Sequence, residues 1–226
     1  KIIIFSSNGK LEKISNEKRL PFIKLKKGYE ARQALHIIFF SIILVLEKFL
    51  KLDFSNDIDE VIKILKIERE KNNSELDEIV SNMIDRIPVI YGSSSFSDSI
   101  AERFRRQLNE NGKILAHSNI VPNLHHDEIV GFMDKKLKDI LYIILLRDYF
   151  ENEKIKKRFD ITREILTDYG YKVKEIYPIF NSSKLARIFS LIFKIDLISI
   201  EFSKIRGFNP KDVEIIKKLK EMMKNE

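Results

Sequence analysis

The 226-residue sequence contains no cysteine and no tryptophan, and only seven glycines, five prolines and four histidines. Without cysteine, disulfides, thiolate zinc sites and Cys-based redox chemistry are excluded. The glycines form neither a G-x-G-x-x-G fingerprint nor a Walker loop ending in Lys-Ser/Thr, so no nucleotide-binding motif is present. Long apolar runs are also missing. The longest, "IIFFSIILVL" at 37–46, is well short of the roughly 20 residues that cross a bilayer. Bounded by Arg32 and Glu47, it reads as a fully buried helix. No secretory leader pattern is visible, and a cytoplasmic location without membrane contact is the expectation.

What is present describes a globular chain with a sizeable core: 44% hydrophobic and 33% charged residues. The length suits one large domain or a domain and a half. Lys and Arg exceed Asp and Glu by 41 − 34 = 7. A basic excess can signal nucleic acid. Here the positive charges alternate with acids, as in "KIEREKNNSELDE" and "FENEKIKKRFDITRE", which describes solvated helix faces of a thermophile-like Lys/Glu-rich surface. No helix-turn-helix or aromatic RNA-binding motif accompanies them, so a nucleic-acid partner is not expected.

Apolar β-branched runs ending in turn residues predict strands at 2–5, 21–24, 89–91, 114–117, 140–146 and 173–176. Amphipathic patterns predict helices at 10–15, 31–50, 58–85, 98–111, 127–132, 154–169, 184–206 and 213–224. Gly112 and Gly170 suit helix C-caps, and Pro210 suits the first turn of the last helix. Alternating continuous apolar strands and helices give an α/β class, with parallel sheets covered on both faces. The polar stretch 66–86 reads as a helical connector. The chain opens on Lys1 and on a strand already under way, "KIIIFSS", so it is expected to begin in mid-domain.

Three places carry candidate chemistry. In "VIYGSSSFSDSIAERF" a buried strand runs through Gly92 and clustered serines into a helix, a possible phosphate receptor at a helix N-terminus. Weighed against it, an ordinary capped βα turn with Ser97 or Asp98 at the N-cap is the better reading. In "NENGKILAHSNIVPNLHHDEIVGF" stand Glu110, His125 and His126. A half-buried helix-end glutamate can serve as a general base, and adjacent histidines cannot both face one site. A zinc site from His117, His126 and Glu128 lacks recognised ligand spacing, so no metal is expected. Finally, Arg32 in "EARQAL" can grip an anion beside a helix start, or simply form a surface ion pair.

Taken together, "SSNGKLEKISNEKRLPFIKLKKGYEARQAL" resembles the closing part of the first sugar-isomerase (SIS) domain of archaeal-type bifunctional phosphoglucose/phosphomannose isomerases. "IPVIYG", "RRQLNENGK", "NIVPNLHHDEIVG" and "NPKDVEIIKKLK" resemble that family's second SIS domain, in the same order. The resemblance implies three-layer αβα SIS domains, each with a parallel sheet flanked by helices. It implies residues 1–56 as the C-terminal part of a first domain, 57–86 as a connector and 87–226 as a second domain. It also implies interconversion of aldose and ketose 6-phosphates, glucose 6-phosphate and mannose 6-phosphate with fructose 6-phosphate, through a cis-enediol and without a cofactor. By position it makes Glu110 the catalytic base, His126 the ring-opening residue, Lys218 a second catalytic group and Arg32 a substrate-binding residue. In the family the histidine comes from the partner subunit of a homodimer. Bare chemistry suits these roles, since a carboxylate can shuttle a proton between C2 and C1 while a histidine and a lysine serve the ring and hydroxyl oxygens.

The sequence departs from the family in three ways. The serine-rich phosphate loops of the first domain precede the part represented here. Ala31 stands where the family has proline before the arginine, and Lys211 stands where threonine is common. A non-catalytic SIS module binding a sugar phosphate or a partner protein is the alternative function.

Overall fold

The computed structural model describes residues 2–71 and 74–224. They form two compact units, one ending at Asn56 and the other beginning at Asp57.

In the first unit, β1 (Ile4–Ser6) and β2 (Phe22–Lys24) pair in parallel, with Ile4 opposite Phe22 and Ser6 opposite Lys24. Between them runs α1 (Lys10–Lys18), which ends where Arg19 adopts φ 52° and the Ser15 hydroxyl donates to the Leu20 carbonyl at 2.7 Å. A 3-10 turn (Ala31–Gln33) then leads into α2 (Leu35–Leu50). This helix contains the run at 37–46, but it has no buried residue. Leu44, Phe49 and Leu50 are each more than half exposed. The expectation of a fully buried helix is therefore corrected. Apolar residues around the whole circumference of a helix need cover on every side, and the described residues do not enclose α2 so completely. No helix among the described residues is long and apolar enough to cross a membrane.

The second unit contains α3 (Ser55–Glu70, beginning at the unit boundary), α4 (Ser74–Met83), β3 (Ile87–Ser93), α5 (Asp98–Glu110), β4 (His117–Val121), α6 (Glu128–Gly131), β5 (Leu141–Leu146), α7 (Glu153–Asp168), β6 (Lys172–Ile176), α8 (Lys184–Ile205) and α9 (Glu214–Met222). The helix expected over 58–85 is realised as α3 and α4, with 72 and 73 outside the described residues. Leu76, Ile79, Val80 and Met83 of α4 enter the core, so this part of the expected connector packs as an integral layer of the unit.

All four strands of the sheet run parallel in the order β4-β3-β5-β6. Side chains alternate across β3 and β5. Ile90, Ile144 and Leu146 face a core completed by α4, α5 and α8, whereas Val89, Tyr91, Ile143 and Leu145 face one completed by Phe159 and Leu166 of α7. Each such fully buried aliphatic side chain stabilises the fold by about 1.5–3 kcal/mol.

Strand β4 begins at His117, three residues later than the 114–117 expectation places it. The intervening residues close α5 instead: Ile114 N–H donates to Leu108 O, and Ala116 N–H to the Asn109 side-chain oxygen at 3.2 Å. Between β3 and β5, where the strand order reverses, α/β sheets usually open a ligand crevice at the carboxyl ends of the strands. Here it is filled. The Ser97 hydroxyl donates to Leu146 O at 2.7 Å and accepts from Ser93 N–H at 2.9 Å. The turn folds back so tightly that a Cβ on Gly92 would lie 2.3 Å from Ser97 O. The buried serines of this loop thus serve the turn itself; Ser97 stands at the N-cap of α5 as expected, but its hydroxyl makes no capping bond to the helix.

The loop 122–132 lies on the Tyr91 face, anchored by Leu124 and Phe132. Between them His125 is locked. The Thr162 hydroxyl donates to Arg158 O at 2.7 Å, so it must accept from His125 Nε2–H, also at 2.7 Å. His125 Nδ1 is then left with its lone pair to accept from the Arg158 guanidinium at 3.2 Å. Burial, and then the positive charges of Arg158 and His126, hold the His125 pKa below its ordinary value.

Two outcomes follow from this packing. Gly92→Ala should lower the free energy of unfolding by about 1–3 kcal/mol, the usual cost of overpacking a tight site, measurable by urea denaturation. For His125 the folded pKa is depressed, so the unfolded chain binds the extra proton first. Its contribution is therefore full above the unfolded value of about 6.5 and declines as pH falls below it. Urea midpoints measured from pH 7.5 down to 5.5 should drop less steeply for His125→Asn than for the natural sequence. Equal slopes would show that His125 is not held neutral.

Candidate active site

Glu110 is the last residue of α5 and is half-buried. Both flanking asparagines are structural. Asn109 accepts from Ala116 N–H, and the buried Asn111 donates from Nδ2 to Gln107 Oε1 at 3.1 Å and to the Ser199 hydroxyl at 2.9 Å. Two turns earlier, Arg103 makes a bidentate pair with Asp196 of α8 at 3.1 and 2.6 Å, and Gln107 Nε2 donates to the same carboxylate at 2.9 Å. This polar ladder fixes the C-terminal end of α5 against α8, and with it the place of Glu110. Only glycine fits just beyond, because a Cβ on Gly112 would lie 2.9 Å from both Leu108 O and the Phe202 ring.

Lys113, at φ 53°, gathers the C-terminal segment to this helix end. Its ammonium donates to Glu110 O at 2.5 Å, Asp212 O at 2.7 Å and Asn209 O at 3.3 Å. Arg206 adds a bond to Gly112 O at 2.8 Å. The chain leading into α9, which carries Lys218, is thereby tied to the helix end that bears Glu110. No residue of α9 is buried, and Lys218 is exposed.

His126 is exposed on the loop pinned by His125. That loop packs on the opposite face of the sheet from α5, so within one chain Glu110 and His126 belong to different layers. Arg32 lies in the first unit, in the 3-10 turn before α2, and not at the start of the helix itself.

The residues weighed for zinc are partly brought together. His117 Nε2 lies 3.0 Å from Glu128 Oε1. No group of three potential ligands able to hold a metal occurs among the described residues. Sequence reasoning missed the use of Glu128 as a hydrogen-bond centre, and also the buried charges at the end of β5. There Arg147 pairs with Glu151 at 2.9 Å and with Asp160 at 3.0 Å, while Asp148 pairs with Arg187 at 2.7 Å. The dipeptide Arg147-Asp148 directly after "LYIILL" was the available signal, since charges abutting a buried strand must be paired.

The family model for the bacterial phospho-glucose isomerase C-terminal SIS domain matches residues 72–223. A bifunctional phosphoglucose/phosphomannose isomerase of Aquifex aeolicus is 29% identical over 228 residues, covering 99% of this chain and 68% of that protein. One from Caldicellulosiruptor bescii is 31% identical over 229 residues, covering 97% of this chain and 67% of that protein. The chain thus spans about two thirds of the length of these relatives. Among solved structures, a glucose-6-phosphate isomerase-like protein from Thermus thermophilus shares the fold with a TM-score of 0.67 at 16% identity, over 95% of this chain and 75% of that one. With the parallel sheet, its flanking helices and this match over most of the sequence, the chain belongs to the bifunctional phosphoglucose/phosphomannose isomerase family of SIS-domain proteins.

Proposed function

We propose that the protein is an aldose–ketose isomerase that interconverts glucose 6-phosphate, and mannose 6-phosphate, with fructose 6-phosphate. The observation that carries this reading is the rigid mounting of Glu110. Its two neighbours hold the helix end, Asn109 to Ala116 and Asn111 to Ser199 of α8, so the carboxylate between them projects from a fixed backbone. In the proposed reaction Glu110 removes the proton from C2 of the open-chain aldose. The electron pair forms the C1–C2 double bond of a cis-enediol as the carbonyl oxygen at C1 gains a proton. The same carboxylate then returns its proton to C1 while the C2 hydroxyl becomes a carbonyl. One base on one face of the substrate serves both transfers. His126 and Lys218 exchange protons at the ring and hydroxyl oxygens during ring opening, and Arg32 grips the anionic substrate. Residues 1–56 close a first SIS domain, and 87–226 form the second together with α4 of the connecting stretch 57–86.

The placement of Glu110 and His126 in different layers of one sheet supports a two-fold dimer in which each active site takes its histidine from the other subunit. An isologous interface repeats such an exchange symmetrically, giving two equivalent shared sites.

In a coupled assay for fructose 6-phosphate formed from glucose 6-phosphate, Glu110→Gln should lower turnover by roughly 100-fold or more, as expected for loss of a general base, with an unchanged urea midpoint. Near-normal turnover would remove Glu110 from the mechanism. Sugar-phosphate binding without turnover in the natural sequence would favour a binding module instead. Mixed and reassembled Glu110→Gln and His126→Ala chains should recover about a quarter of natural activity, since half the dimers would be mixed and each would hold one intact site. No recovery would place both groups in one subunit's site.

A further inference from the structure

The carboxylate of Glu128 has more assigned to it than a one-turn helix requires. It draws three donors from two adjacent strands. Tyr91 on β3 donates its hydroxyl to Oε1 at 2.5 Å, Asn119 on β4 donates from Nδ2 to Oε2 at 2.6 Å, and His117 on β4 approaches Oε1 through Nε2 at 3.0 Å. Tyr91 and Asn119 are paired across the sheet, and His117 stands two residues before Asn119 on the same side of β4. The amide of Asn119 is oriented, because its Oδ1 accepts from Ile120 N–H at 2.8 Å. Tyr91 is a committed donor, since burial and the neighbouring carboxylate push its hydroxyl pKa far above the usual range.

Such a centre is more than α6 needs for its own stability. The helix is four residues long, and a helix so short does not stand by itself in water. Its position is imposed from outside. On one side of His126 the loop is fixed by His125 on α7 and by the buried Leu124. On the other side it is fixed by Glu128 on β3 and β4 and by Phe132, whose ring meets Tyr91 and Tyr171 edge-on at 6.5 and 5.0 Å. Between His125 and Glu128 stand His126 and Asp127, both exposed. Asp127 in turn accepts from Glu128 N–H at 2.6 Å, so the glutamate's backbone orders the residue beside the histidine.

We propose that Glu128 is a positioning residue, which presents His126 in a fixed orientation by tying α6 to Tyr91, Asn119 and His117. It touches no substrate and acts through the loop. The proposal rests on the isomerase reading given above for His126. A side chain held on both flanks loses little orientational freedom at the moment of reaction, whereas one on a loose loop loses much.

The test uses the full chain with two readouts. In kinetics, Glu128→Ala should lower kcat about 10- to 100-fold through misplacement of the histidine, with KM nearly unchanged. In a His126→Ala background the same substitution should cost less than about threefold more, because both act through one group. In side-chain NMR of the four histidines, Glu128→Ala should move and broaden the His126 ring signals while leaving those of His125 in place. Glu128→Gln keeps one acceptor oxygen and should fall between, and it serves in place of the alanine variant should that one not fold. Multiplicative kinetic losses, or unaltered His126 signals, would overturn the proposal. If His126→Ala leaves turnover intact, the catalytic reading of His126 fails by itself, and the ring signals then decide whether Glu128 holds the loop.

Discussion

The second unit depends on one constraint: β3 and β5 are buried on both faces. A parallel strand enclosed by helices has no water to satisfy its backbone, so every N–H and C=O must pair within the sheet. The adjoining registers, Val89 with His117 and Ile143 and Ile90 with Ile144, provide this while sending alternate side chains into two separate cores. The helices are obliged to cover those cores, and their ends are therefore delivered to defined places at the rim. Glu110 and the His126 loop owe their positions to this arrangement, each lying where an element of one layer finishes.

Polar side chains then set detail that apolar packing leaves loose. Apolar contacts between α5 and α8 would tolerate some sliding of one helix along the other, since the hydrophobic effect is non-directional. The ladder of Arg103, Gln107 and Asn111 against Asp196 and Ser199 does not, because hydrogen bonds of about 3 Å weaken steeply when bent or stretched. The same logic governs the opposite layer, where His125 and Glu128 act as fixed pins to neighbouring elements. Ser97 does likewise at the strand-order reversal, tying the loop after β3 to the end of β5.

Much of this was legible beforehand. The strand and helix sequence followed from periodicity, because β-branched runs and 3.6-residue patterns report burial directly. The motif pieces around Glu110 and His126 carried the family. Where reading failed, a long-range partner made the difference. Strand β4 starts late because Asn109 captures Ala116, an attraction no local propensity reveals. The run at 37–46 was read as buried from its composition, yet burial belongs to what surrounds a helix, and α2 is left partly uncovered.

The sequence by itself determined the α/β class, the order of elements, the exclusion of cysteine chemistry and the identity of the candidate groups, since these depend on residue type and short-range pattern. Only the tertiary structure decided which histidine of the adjacent pair is available. His125 meets Thr162 and Arg158, residues 37 and 33 positions away, and is consumed by them. His126 faces outward. The same holds for Glu128, whose three partners lie on two strands and converge only once β3 and β4 pair. Hydrogen bonds reach about 3 Å, so a role built from them exists only after folding has brought distant residues to that range.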